Sequence, residues 1–154
     1  MNNDDISEGE NVMVRCVISD PSRTPEQVIE ATGCRRYKNE DSEVVATMPR
    51  GIYCSDEVEV VFFHLGVSIS GVKLEREYEK RGLVPADPYL ICEINEDDSA
   101  FAETYSHGTY WRNEAGELCY IAFGTLGRNR SVRVGRRERQ SSWNACYWFA
   151  GLKK

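Results

Sequence analysis

Apolar residues along this chain follow two patterns: short runs of alternating or unbroken hydrophobics, and stretches with apolar positions three or four apart. The runs at Val12–Ile18 (Val-Met-Val-Arg-Cys-Val-Ile), Val44–Met48 and Val58–Leu65 predict strands. The last is the most apolar and is expected at the centre of a sheet. Between the first two, Thr24-Pro25-Glu26-Gln27 predicts a helix start: Thr24 caps, Pro25 suits the first helical position and Gln27 completes a capping box. Gly33 ends that helix, giving Thr24–Thr32. A second helix is predicted from Ser70 through Arg81, with Leu74 and Tyr78 on one face, Lys73/Glu77 and Glu77/Arg81 spaced as ion pairs, and Gly82 closing it. Asp87-Pro88 opens a third helix through about Asn95, and Asp98–Glu103 adds a further turn.

From Thr109 onward the pattern turns to strands. Tyr110–Arg112 and Glu117–Phe123 flank Asn113-Glu114-Ala115-Gly116, a hairpin turn by composition. Ser131–Gly135 and Cys146–Ala150 follow, separated by the polar loop Arg136–Trp143. The expected architecture is an α+β domain: a mixed helix-and-strand front half with a C-terminal antiparallel β-meander packed into one domain. No repeat or Pro/Gly/Ser linker divides it. Residues 1–10 (MNNDDISEGE) are acidic and polar and read as a disordered leader to a single domain over 11–154.

Composition sharpens this picture in two places. The six cysteines are widely dispersed and most lie among apolar neighbours, so they read as reduced, small core hydrophobes in a cytoplasmic protein rather than as disulfides. The formal charge of −6 hides an asymmetry. Residues 124–154 carry eight Lys/Arg and one acid, a net +7, which leaves −13 on the first 123. The blandest expectation is that the basic tail lies against the acidic body or faces water.

Several segments also resemble pieces of a family of small uncharacterised bacterial and phage proteins with no assigned activity. They are Ala31-Thr32-Gly33 with Tyr37, the 44–51 run ending Met-Pro-Arg-Gly, Val-Phe-Phe…Leu-Gly at 61–66, Glu77-Tyr78-Glu79, Arg81-Gly82-Leu83, Pro85-Ala86-Asp87-Pro88-Tyr89 and Trp148-Phe149-Ala150-Gly151. The resemblance spans residues 12–154. It implies one domain of bacterial or phage origin and assigns no catalytic residue.

Few residues suggest chemistry. No Cys or His pair has zinc-site spacing, and a meeting of Cys34, Cys54 and His64 has no spacing to support it, so neither metal nor cofactor is expected. Glu93, Glu96, Asp97 and Asp98 lack the glycine of a calcium loop and read as a solvated helix end. Gly124-Thr125-Leu126-Gly127 lacks the residues of a phosphate-binding loop and reads as a turn. His64, ending an apolar strand, reads as a buried histidine. His107, in the hydroxyl-rich Tyr105-Ser106-His107-Gly108-Thr109-Tyr110, is the one weak catalytic candidate. It would serve a small hydrolase or transferase with Ser106, Tyr105 or a cysteine beside it.

The stronger candidate is a set of arginines, Arg128, Arg130, Arg133, Arg136, Arg137 and Arg139, with Trp143 and Tyr147 and with Tyr110, Trp111 and Tyr120 expected on nearby strands. Guanidinium forks match phosphate geometry, aromatic faces stack on unpaired bases, and the same residue types dominate protein-interface hot spots. The expectation is a non-enzymatic interaction protein whose basic, aromatic tail contacts a protein partner, a second copy or nucleic acid, and not a membrane. The acidic front half opposes the nucleic-acid branch at long range.

Overall fold

A computed structural model of the protein describes residues 11–37, 40–51, 57–138 and 141–154. The elements in chain order are β1 (Val12–Ile18), α1 (Pro25–Glu30), β2 (Arg35–Arg36), α2 (Ser42–Ala46), β3 (Glu57–His64), β4 (Ile69–Ser70), α3 (Gly71–Lys80), β5 (Leu83–Pro85), α4 (Pro88–Asp97), α5 (Phe101–Thr104), β6 (His107–Arg112), β7 (Leu118–Leu126), β8 (Asn129–Arg137), β9 (Ser142–Trp143) and β10 (Trp148–Lys153). The fold is α+β, as its pattern of apolar positions predicts.

Eight strands form one sheet in the order β1-β3-β10-β6-β7-β8-β2, with β5 also pairing β10. β4 and β9 make a separate two-stranded ribbon. The meander is β6–β7–β8, antiparallel throughout. β10 leaves it and inserts between β3, to which it is antiparallel, and β6, to which it is parallel.

Side chains alternate across a strand, so one sheet feeds two cores. Val58, Val60 and Phe62 of β3, Trp111 of β6, Ile121 and Phe123 of β7 and Val132 and Val134 of β8 face one side. They pack there with Val28 and Ile29 of α1, Val44 and Val45 of α2, Leu90, Ile91 and Ile94 of α4, and Phe101 of α5. Their neighbours Val61, Phe63, Tyr110, Leu118, Ala122 and Phe149 face the other side, under Leu74 and Tyr78 of α3, Ile69 of β4 and Trp143 of β9. The Tyr78 hydroxyl donates to the Ala150 carbonyl at 2.7 Å and ties α3 to the central strand. Trp143 lies over Gly108, where a Cβ would come within 3.1 Å of the indole and 2.7 Å of the Ile121 carbonyl oxygen. Only a glycine admits that approach.

The predicted helix starts form as expected. Thr24 Oγ1 accepts from the Gln27 amide at 3.2 Å while Gln27 Oε1 accepts from the Thr24 amide at 2.9 Å. Ser70 and Asp87 cap α3 and α4. On α3, Glu77 pairs with Lys80 and Arg81 rather than with Lys73.

Three expectations are corrected. Val44–Met48 is not a strand: Asp41 Oδ1 accepts from the amides of Glu43 and Val44, and this cap starts α2, burying Val44 and Val45 side by side. Five apolar residues are too few for spacing alone to separate helix from strand, and the cap decides. Glu93 is not solvated. It is buried, its Oε2 accepts from the Asp20 amide at 2.6 Å, and burial pushes its carboxyl pKa up. The cysteines divide: Cys92 and Cys119 are buried, Cys34 is half-buried, and Cys16 and Cys146 are exposed. Among the described residues all are unpaired, and Cys54 lies outside them. No helix of the described residues is long and apolar enough to cross a membrane.

Candidate anion-binding edge

β8 is a nine-residue strand, so the period of two divides its arginines between the sheet's faces. Arg130 and Arg136 lie with Val132 and Val134 on the helix side. Arg133 and Arg137 lie on the side of the β4–β9 ribbon. Arg128 stands in the β7–β8 turn, beside Gly127 with its positive φ of 63°. Arg139 lies outside the described residues. The continuous basic strip suggested by the sequence is therefore two separate groups.

Arg136 is matched by acids. Its guanidinium meets Asp41 and, at 2.9 Å, Glu43, both at the start of α2, and reaches Glu117 of the hairpin at 3.4 Å. Here the basic tail does lie on the acidic body. An open cleft of about 570 Å³ beside it has the same mixed character, with Arg112, Arg136 and Arg137 facing Glu117 and Glu138.

The other members lack such compensation. Among the described residues none of Arg35, Arg128, Arg130, Arg133 and Arg137 has a carboxylate within ion-pair distance. On the ribbon face the guanidiniums alternate with aromatic rings. Arg133 sits 4.2 Å from the Tyr37 centroid, and Arg137 4.4 Å from that of Trp143 and 5.2 Å from that of Tyr120. Tyr120 pairs across the ladder with Gly135, whose missing side chain leaves the ring its place, 3.4 Å from where a Cβ would stand. Rings under guanidiniums favour the cation through their quadrupole and hold its plane in a fixed attitude. Arg137 also donates to the Ser142 carbonyl at 2.6 Å, and burial pulls its pKa below the ordinary arginine value.

Trp143 is 1% exposed and belongs to the second core, which corrects the expectation that it offers an open stacking face. Tyr147, half-buried, packs edge-on against it at 5.3 Å. The partly open rings of this surface are Tyr37, Tyr120 and Tyr147. Tyr120 is among the aromatics that the sequence places on neighbouring strands, whereas Tyr37, about a hundred positions away in the chain, is one that it does not supply as a ligand.

On the helix side Arg130 joins residues distant in sequence. The parallel pairing of β2 with β8 sets Arg35 opposite Ser131, and Gly33, Arg35, Glu103, Arg128, Asn129 and Arg130 line an open cleft of about 470 Å³. Gly33 ends α1 with φ 72°, and its bare Cα lets Arg130 pack close, with Nη2 3.1 Å from a Cβ built there. Arg130 Nη1 also donates to Cys34 Sγ at 3.6 Å.

The histidines are occupied within the fold. His107 has no exposed surface; it is enclosed by Phe62, Phe101 and Phe123, the last stacked at 5.3 Å. Its Nδ1 lies 2.9 Å from the Tyr105 carbonyl and its Nε2 2.8 Å from Asn95 Nδ2. A neutral ring donating through Nδ1 and accepting at Nε2 satisfies both, and burial drives its pKa down to about 4. Both ring nitrogens are engaged, so His107 is not placed to act on a substrate as the sequence pattern had suggested. His64 is half-buried, 3.0 Å from the Ala145 carbonyl and stacked on Trp148. Among the described residues no three His, Cys, Asp or Glu side chains gather as metal ligands.

No family model, curated protein or solved structure matches this chain.

Proposed function

We propose that this protein, of bacterial or phage origin, is a non-enzymatic binding domain that takes single-stranded nucleic acid at the β2–β8 edge of its sheet. The observation that carries this reading is that five guanidiniums, divided between the two faces of that edge, have no carboxylate within ion-pair distance among the described residues. They stand in a chain whose acids outnumber its bases by six. A fold with so many acids available matches Arg136 three times over, so the arginines of the same strand and of β2 that no carboxylate meets keep their charge for an external anion. Tyr37 and Tyr120 between them favour bases over a plain polyanion, because every base has a face to stack.

Labelled single-stranded oligonucleotides titrated by anisotropy at two salt concentrations test this. The expected log–log salt slope is about −3, for four or five phosphate contacts at about 0.7 each. Arg128→Gln with Arg133→Gln should weaken binding at least tenfold and flatten the slope. Reversing Arg136 and Arg137 is the poorer test, since one is tied to acids and the other packs on Trp143. No binding at low salt, with an acidic peptide binding instead, would transfer the surface to a protein partner.

A further inference from the structure

The cleft between α1, β2 and the β7–β8 turn has a composition that a stretch of phosphodiester backbone does not require. Two chain segments bring Arg35, Arg128 and Arg130 around one concave space of about 470 Å³ with Asn129, and a third, α5, adds a single carboxylate, Glu103. Three cations and one anion leave a local charge of +2, the complement of a phosphomonoester dianion rather than of one singly charged diester. Guanidinium forks bind such a group through two or more of its oxygens at once. Glu103 is not within ion-pair distance of any of the three arginines. It offers an acceptor for hydroxyl groups, and Asn129 offers both a donor and an acceptor.

Arg130 is the fixed member. Its guanidinium packs against the bare Gly33 backbone and donates to Cys34 Sγ, at the end of α1 where helix carbonyls favour a cation. The volume lies within the range of small-ligand pockets.

We propose that this cleft binds a phosphomonoester carried on a hydroxyl-bearing sugar, and that in this protein it anchors the phosphorylated end of a nucleic-acid strand. The dianion sits among the three guanidiniums and the 2′-hydroxyl of the terminal ribose donates to Glu103, so the strand is RNA. As an anchor the cleft rests on the reading of the edge as a nucleic-acid surface. As a phosphomonoester site it stands without it, since a free nucleotide offers the same groups.

The test is a titration of three probes: a short RNA oligonucleotide with a 5′-phosphate, the same RNA with a 5′-hydroxyl, and a ribonucleoside 5′-monophosphate. The 5′-phosphorylated strand should bind at least tenfold more tightly than its hydroxyl counterpart. Arg130→Gln should abolish that advantage, and Arg133→Gln, on the opposite face of β8, should preserve it while weakening both strands. Arg35→Gln gives a second lesion in the cleft at an exposed position, and thermal melting of each variant separates lost binding from lost fold. Equal affinity for the two strands overturns the cleft and leaves the edge standing. An advantage that survives both Arg130→Gln and Arg35→Gln also overturns it. Neither oligonucleotide binding while the mononucleotide does, in an Arg130-dependent way, overturns the strand reading and keeps the phosphomonoester site.

Discussion

His107 and Arg133 are both residues that a search for function singles out, and the fold treats them in opposite ways. His107 sits where three phenylalanines exclude water, and each ring nitrogen has a protein partner. Arg133 stands exposed on a ring, with no carboxylate partner among the described residues. Residue type alone ranks the histidine first as chemistry. Satisfaction of its groups ranks it last, because a buried polar group paired within the fold has nothing left to offer a ligand. The same contrast separates Arg136 from Arg133 only three residues away on one strand.

That contrast predicts a graded series of effects. The largest belongs to the interior. His107→Ala leaves Asn95 without one of its hydrogen-bond partners and opens a cavity among aromatic rings. It should cost about 3 kcal/mol in chemical denaturation. A loss below about 1 kcal/mol would mean that the site relaxes and that the ring is not an integral part of the core.

Next comes pH. The unfolded chain protonates a histidine near 6.5 whereas the folded His107 does so only at about 4, so acidification through that window destabilises the fold. Asp87 acts the other way. Burial raises its pKa from 3.8 to about 6, against the opposing bonds from the Gly51 and Leu90 amides, so the folded state takes up this proton first and gains stability over nearly the same window. Each contribution is on the order of 3 kcal/mol, and together they nearly cancel. Asp87→Asn retains a capping side chain and removes one half of the pair. Its stability should fall by about 3 kcal/mol between pH 7 and pH 4, where the parent protein changes little from these two groups. A parallel pH profile for parent and variant would show that the two groups are not opposed.

The edge should respond least in stability. Arg137→Ala uncovers the Trp143 ring and forfeits its bond to Ser142, for about 1 kcal/mol and a shift in tryptophan emission. Arg133→Gln should change stability by less than about 0.5 kcal/mol while oligonucleotide affinity drops severalfold. A large stability loss on Arg133→Gln would erase the contrast, since this arginine would then be spent inside the fold like His107.

How much of this was legible beforehand follows the range of the interactions involved. Local signals worked: Thr24 with Gln27, Ser70, and Asp87 with Pro88 all start helices, and the unbroken apolar run of β3 lies inside the sheet. α2 is not legible from spacing, because two adjacent valines suit either element and the deciding cap, Asp41, is a single side chain. The division of the arginines was available in principle from alternation. The apolar signal covers only residues 131–135, whereas β8 extends over Asn129–Arg137, so Arg130, Arg136 and Arg137 fall where the pattern shows no alternation. The cleft was not available at all. Gly33 and Arg35 meet Arg128 and Arg130 only through a parallel pairing of two residues, across nearly a hundred positions of chain. No periodicity in either segment announces it.

The position of β10 has a consequence for how the molecule is made. Within the large sheet, β1 and β3 on one side and β6, β7, β8 and β2 on the other are joined only through this strand. Each half can pair internally as it is synthesised, but neither sheds its open inner edge until residues 148–153 arrive. The chain therefore has a long vulnerable interval between the first hairpins and the closed sheet, with two apolar edges waiting on one late segment. Without residues 148–153 the large sheet is two separate pieces that share only the cores beneath the helices, and this one strand makes them continuous.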